Sequence, residues 1–396
     1  MDELQRLIAA ELPSLTELRH DLHRHPELGY EETRTSSVVQ RELAAAGIQF
    51  KAGLAGGTGV VAHIPGGPAG AKATALRADM DALPIFESSG LPYASTVPGK
   101  MHACGHDGHT TMLLGTARVL QRLSKEGKLP RPVTLVFQPA EEGGGGGRRM
   151  VEDGVLTGAV IGPPIEAIFG VHGWPEFPLG SVGTRVGPMM AASDRWEILV
   201  RGKGAHAAWP HRSADPVVCA AALVQALQTL VSRNVDPLDS AVVSVTVIEG
   251  GTAFNVIPDK VVLKGTLRTL SEATRQALDR RMGEVAAGIA AAHGCSAEYA
   301  FHRNYPVTIN HPAAVAEFNR AAQAAFGTQR VQPVEAPVMG GEDFAFYGHH
   351  VPACFWVVGL IPPGKTEYPP LHAPDFDFND AALPVGIEMF CRLALR

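Results

Sequence analysis

The chain has 396 residues, 45% of them hydrophobic and 19% charged, with a net charge of −6. This composition excludes a disordered chain, and an acidic balance with no basic block argues against nucleic-acid and membrane-surface partners. No apolar run approaches a membrane span, and the start Met1-Asp2-Glu3-Leu4 lacks the basic-then-apolar order of a secretory signal. The five cysteines are scattered without a disulfide pattern, so a cytoplasmic protein of about two domains is expected.

Leu4, Leu7, Ile8, Leu12, Leu15, Leu18 and Leu22 recur at helical spacing and predict a helix from Asp2 to Arg24, closed by Pro26 and Gly29. Short apolar runs at Thr74–Leu76, Val133–Phe137, Ala167–Val171 and Cys354–Val358 read as buried strands, and Thr110–Leu123 reads as a helix. Alternation of this kind predicts an α/β layer with a mostly parallel sheet. Between about Val186 and Arg303 the pattern changes. Strands are expected at Arg195–Arg201, Ala241–Ile248, Val261–Thr269 and Ser296–Phe301, with helices at Asp215–Ser232 and Ser271–His293. The order βαββαβ is that of a ferredoxin-like α+β unit. The expected organisation is therefore residues 1–185 and 304–396 forming one domain, with 186–303 inserted into it.

Chemically capable residues follow three of the buried strands: Asp79-Met80-Asp81, Gln138-Pro139-Ala140-Glu141-Glu142 and His172. Ligands of open α/β sheets bind beyond the carboxyl ends of the strands, so these residues are expected on one edge. The densest cluster is Met101-His102-Ala103-Cys104-Gly105-His106-Asp107-Gly108-His109. Imidazole and thiolate are the side chains best suited to zinc-like divalent ions. Adjacent side chains diverge, so Glu142 could hold a metal while Glu141 faces the reacting water, a division that suits metal-assisted hydrolysis. Isolated His172 and His372 gain interest only from this context. His23 and His25 read as surface or capping groups, and His349 and His350 as loop residues. The run Gly143–Gly147 lacks the Gly-Lys-Ser/Thr ending of a phosphate loop. Cys104 as a thiol nucleophile is the competing reading, though such an enzyme has no need of the histidines and the Glu pair.

Taken together, His23-Arg24-His25-Pro26-Glu27-Leu28, Arg77-Ala78-Asp79-Met80-Asp81-Ala82-Leu83-Pro84, the 101–109 cluster, Gln138–Glu142, Gly204-Ala205-His206-Ala207-Ala208, Gly341-Glu342-Asp343-Phe344 and Leu371-His372 resemble the M20 metallopeptidase family. The similarity is to its amidohydrolase branch of hippurate hydrolases, N-acyl-L-amino acid amidohydrolases and auxin-conjugate hydrolases. The resemblance implies two divalent ions (manganese, zinc, cobalt or nickel) held by Cys104, His106, Glu142, His172 and His372. It further implies hydrolysis of N-acyl amino acids by a metal-bridged water, with Glu141 as general base. The inserted unit would be a lid that also makes a homodimer. From it His206 would steady the oxyanion in a partner's site, and Asn255 and Arg268 would hold the substrate carboxylate. Where many M20 peptidases have His-x-Asp, this chain has Asp79-Met80-Asp81, leaving Asp81 or Asp107 to orient a ligand. The alternatives are a dipeptidase or aminopeptidase of the same fold, or a non-catalytic metal-binding protein.

Overall fold

The computed structural model describes residues 1–396. They divide into two compact units: Met1–Met189 with Ile309–Glu335 and Asp343–Arg396, and Met190–Thr308 with Ala336–Glu342. The inserted unit thus starts and ends a few residues later than the sequence pattern suggests. It also recruits the short stretch from Ala336, because the Ala191 amide donates to the carbonyls of Val338 (3.1 Å) and Gly340 (2.9 Å).

The first unit is built on an eight-stranded sheet. Its order is Gln49–Leu54, Gly59–Ile64, Val133–Gln138, Ala73–Asp79, Ile165–Pro178, Ala353–Ile361, Val182–Thr184 and Val331–Pro333. The four central strands run parallel, and antiparallel pairings flank them on both sides. Strands buried on both faces need continuous apolar sequence, and Val133–Gln138 and Ala73–Asp79 are buried along their whole length. Strands Ala73–Asp79, Val133–Gln138 and Ile165–Pro178 run past their apolar centres to include Asp79, Gln138 and His172, which hydropathy alone does not mark.

Helix Glu3–Arg24 opens with a capping box in which the Gln5 amide donates to Asp2 Oδ1 (2.9 Å) and the Asp2 amide to Gln5 Oε1 (3.0 Å). Leu15 and Leu22 on this helix are wholly buried, each worth about 1.5–3 kcal/mol. Helix His106–Lys125 packs against it and against Thr33–Ala46 and Leu383–Ala394. It starts at His106, not Thr110, since its first turn buries His106, Asp107 and His109 rather than apolar groups. Helices Thr33–Ala46, Pro312–Phe326 and Leu383–Ala394 and strands Gln49–Leu54 and Gly59–Ile64 lie outside the elements read from sequence.

The second unit has a four-stranded antiparallel sheet in the order Ala241–Gly250, Lys260–Thr269, Ala192–Arg201, Ser296–Tyr305, with helices Pro216–Asn234 and Glu272–Ala292. This is the βαββαβ arrangement that the sequence predicts. Strand Ala192–Arg201 alternates buried and less buried residues, and Trp196, Ile198 and Val200 meet Leu223, Leu227 and Met282 in a separate core. Both helices are N-capped, by Asp215 to the Val217 amide (2.8 Å) and Ser271 to the Thr274 amide (3.2 Å).

Candidate metal centre

All five residues expected to bind metal lie in the first unit, and the fold brings them together. Cys104 sits in the turn before helix His106–Lys125, and left-handed Gly105 (φ 84°) leads into His106, its first residue. Glu141 and Glu142 follow strand Val133–Gln138. His172 lies inside strand Ile165–Pro178, opposite Val357, and not at its end as expected, because pairing with Ala353–Ile361 carries the strand onward. His372 comes from a loop whose amide donates to the Ala103 carbonyl (2.8 Å). One potential ligand atom from each of Cys104, His106 and His172 falls within 4.8 Å of the others. The same holds for Cys104, Glu142 and His372, and for His106, Glu141 and Glu142.

The donor set fits divalent cations. His106 is 1% exposed, and neither ring nitrogen has a hydrogen-bond partner. Its Nδ1 is 3.3 Å from Asp81 Oδ1 without the alignment of a hydrogen bond. Buried polar atoms left this way are costly unless something binds them. Burial opposes a charge on His106, but Asp79, Asp81 and Glu142 outweigh it and push its pKa up to about 10. The pocket is built for positive charge. The His172 ring donates from Nδ1 to the Gly173 carbonyl (2.7 Å), which fixes the tautomer and leaves the Nε2 lone pair 3.3 Å from Cys104 Sγ. The buried Oε1 of Glu142 is likewise without a hydrogen bond, although His372 Nε2 lies 3.2 Å away.

Carboxylates hold this arrangement. Asp81 Oδ1 accepts from the Glu141 amide (3.0 Å) and Oδ2 from the Glu142 amide (2.9 Å). Glu141 Oε1 accepts from the Asp343 amide (3.3 Å). Asp343 is in turn bound by Arg77 (3.0 Å), which also holds Asp79 (2.6 Å) and Gln138 (2.9 Å). Burial disfavours ionised Asp79, yet His106, Arg77 and His109 keep its carboxyl well below the usual range. Ala140 (φ 53°), beside the Glu pair, and His372 (φ 67°), itself an expected ligand, adopt the left-handed backbone that side chains avoid. The glycine run has a steric purpose: a Cβ on Gly146 would lie 1.7 Å from the Pro139 carbonyl oxygen.

Two residues need reassignment. Asp107, read as orienting a ligand, faces away to His23 Nδ1 (2.8 Å) and Arg19 (3.6 Å). His23, read as a surface group, is fully buried between Asp107 and Glu87. The signal was present: Arg19 and His23 are i and i+4 and continue the stripe of Leu15 and Leu22, so the helix face that carries leucines also buries them. His25 keeps its local role, with Nδ1 at 2.8 Å from the Asp21 carbonyl. His109 has both nitrogens engaged, Nδ1 with Asp79 (2.6 Å) and Nε2 accepting from the Gly173 amide (2.8 Å), so it is no free ligand. Cys104 makes a poor nucleophile. Burial, with Glu142 and Glu141 nearby, pushes its thiol well above the ordinary range, whereas a reactive cysteine needs a depressed pKa.

In the second unit His206 is exposed, and its Nδ1 accepts from the Ala208 amide (3.1 Å). Asn255 is exposed, its carbonyl taken by the Ala207 amide (3.0 Å). Arg268 is half-buried and donates to the Leu267 carbonyl (3.3 Å).

Known proteins resemble the chain over most of its length. Residues 75–396 match the model of peptidase family M20/M25/M40. N-acetylcysteine deacetylase of Bacillus subtilis is 42% identical over 381 residues, covering 96% of each chain. IAA-amino acid hydrolase ILR1-like 4 of Arabidopsis thaliana is 42% identical over 383 residues, covering 96% of this chain and 84% of that one. A solved Bacillus subtilis structure, described as a dinuclear metal binding peptidase from the M20 family, superposes with a TM-score of 0.83 at 36% identity, covering 98% of both chains. On the family match, the full-length relatives and the shared fold, the chain belongs to the M20/M25/M40 peptidase family.

Proposed function

We propose that this chain hydrolyses the amide bond of N-acyl amino acids, using two divalent ions held by Cys104, His106, Glu142, His172 and His372. The observation that carries the reading is the buried His106 imidazole, with neither nitrogen hydrogen-bonded although Asp81 lies at 3.3 Å and Asp79 at 3.8 Å, among a thiol, a second imidazole and two carboxylates. Bound there, divalent ions supply an activated water at neutral pH and polarise the acyl carbonyl. Glu141 takes the proton of the attacking water and returns it to the departing amine; its bond from the Asp343 amide holds it for that work. Two relatives named for an N-acetylated amino acid and for IAA-amino acid conjugates support an acyl group on an amino acid nitrogen as the substrate class.

The family resemblance extends the reading to the second unit. His206 donates to the oxyanion in the site of a partner subunit, and Asn255 and Arg268 bind the substrate carboxylate, which makes the working enzyme a homodimer. A thiolate ligand favours zinc, cobalt or nickel, and manganese suits the carboxylates. The composition supports a cytoplasmic location.

The test is a screen of N-acetyl, N-benzoyl and related amino acids with each of these metals, before and after removal by a chelator. Glu141→Gln should keep metal and lose turnover by about 10²–10⁴, whereas Glu142→Gln should lose metal. Full activity in verified metal-free protein, or the two phenotypes exchanged, overturns the assignment.

A further inference from the structure

Glu32 occupies the N-cap position of helix Thr33–Ala46, yet its side chain makes no capping bond. A short polar side chain there ordinarily accepts from the first amides of its helix. Glu27, from the His25-Pro26-Glu27 motif, takes that task instead, with Oε1 accepting from the Arg34 amide (3.0 Å) and Oε2 from the Thr35 amide (2.8 Å). Freed of capping, Glu32 turns inward and is wholly buried. Its Oε1 accepts from the Ala140 amide (2.8 Å) and its Oε2 from the Thr58 hydroxyl (2.8 Å).

Asp81 accepts from the next two amides, those of Glu141 and Glu142 (3.0 and 2.9 Å). Three successive N–H groups therefore point into two buried carboxylates. The middle of this turn is strained, since Ala140 has φ 53°, and it is crowded, since a Cβ on Gly29 would come within 3.1 Å of Ala140. The Ala82 amide donates to the Glu27 carbonyl (2.8 Å), tying the segment that carries Glu32 to the residue after Asp81.

We propose that Glu32 is a positioning residue for the Glu141–Glu142 pair: it pins the left-handed Ala140 peptide, whose direction decides where both carboxylates aim. The inference rests on the reading of Glu141 as base and Glu142 as metal ligand. What the Ala140 amide needs from Glu32 is an acceptor oxygen, which either protonation state offers. Burial, with Asp81 beside it, raises its pKa to about 7, and the protonated acid still offers its carbonyl oxygen to Ala140.

The experiment compares Glu32→Gln and Glu32→Ala in the full-length enzyme. Three quantities are read: kcat and KM at saturating metal, zinc or manganese affinity by calorimetry, and hydrogen exchange of amides 140–142. Glu32→Gln, which keeps an acceptor, should stay close to wild type in all three. Glu32→Ala should lose about 10²-fold in kcat with little change in KM, as misplaced groups do. Its metal affinity should fall about 10–100-fold, and amides 140–142 should exchange faster. Should Glu32→Ala fail to fold, Glu32→Asp withdraws the acceptor by one methylene and gives the same readouts. Wild-type exchange and metal affinity in a folded Glu32→Ala or Glu32→Asp protein would overturn the proposal, as would Glu32→Gln behaving like Glu32→Ala. If instead the amidohydrolase reading is wrong, wild type shows no turnover while the exchange and affinity differences persist.

Discussion

Filling the proposed metal centre should expel two protons, and that number follows from the surroundings of the proposed ligands. In the metal-free protein Cys104 is a neutral thiol, because burial and the Glu pair push its pKa well up. His106 is an imidazolium, with its pKa at about 10. His172, which burial holds well below the usual range, is already neutral and releases nothing. A metal needs thiolate and neutral imidazole, so one proton leaves each of Cys104 and His106. Metal affinity should then rise about 100-fold from pH 7 to pH 8, or about 2.7 kcal/mol, at 1.36 kcal/mol per proton per unit. The assay is calorimetric titration of chelator-stripped protein with zinc in two buffers of different ionisation enthalpy; the difference in heat counts the protons. Cys104→Ser, whose hydroxyl does not ionise, should release about one. A wild-type count below one, or an affinity flat between pH 7 and 8, would refute the reasoning.

Stability should respond to pH through His23. Burial opposes its charge, but Asp107 and Glu87 raise its pKa from 6.5 to about 9. A raised histidine pKa gives stability that is fully present below pH 6.5 and is lost as pH rises through about 9. Denaturant titrations across that window should show wild type losing about 3 kcal/mol more than His23→Gln; parallel curves would mean that His23 is neutral in the folded protein. In the second unit, His206→Ala should keep its metal and lose about 10²–10³ in turnover, the worth of one oxyanion donor. Mixed dimers of His206→Ala and Glu141→Gln chains should recover activity if the imidazole serves the partner's site. Strict inactivity of verified mixed dimers counts against that role.

The strand centres and the inserted unit were legible in sequence because their apolar periodicity is what burial requires. Trp196, Ile198 and Val200 alternate inward as a half-buried strand should. The candidate metal-binding residues stood out because thiol, imidazole and paired carboxylates cluster in the sequence. The supporting groups did not. Glu32 reads as one of two solvated acids after Tyr30, and nothing local reveals that Glu27 has relieved it of capping. His23 and Asp107 are separated widely in the chain, and only packing of helix Glu3–Arg24 on helix His106–Lys125 makes them neighbours. Polar burial is set by tertiary contacts, and hydropathy does not record it.

Strand Ala353–Ile361 lies between Ile165–Pro178 and Val182–Thr184 in the sheet, although the whole inserted unit separates them in the chain. During synthesis the first 189 residues therefore emerge with a bare strand edge where that central partner will sit. Such an edge is a template for wrong pairing. It stays open while the insert, which has its own core, is made and folds. His372 arrives later still, so the proposed metal centre is completed only after the insert. A chain truncated after the insert would lack both the central strand and His372, and it would be a client for chaperones rather than a smaller enzyme.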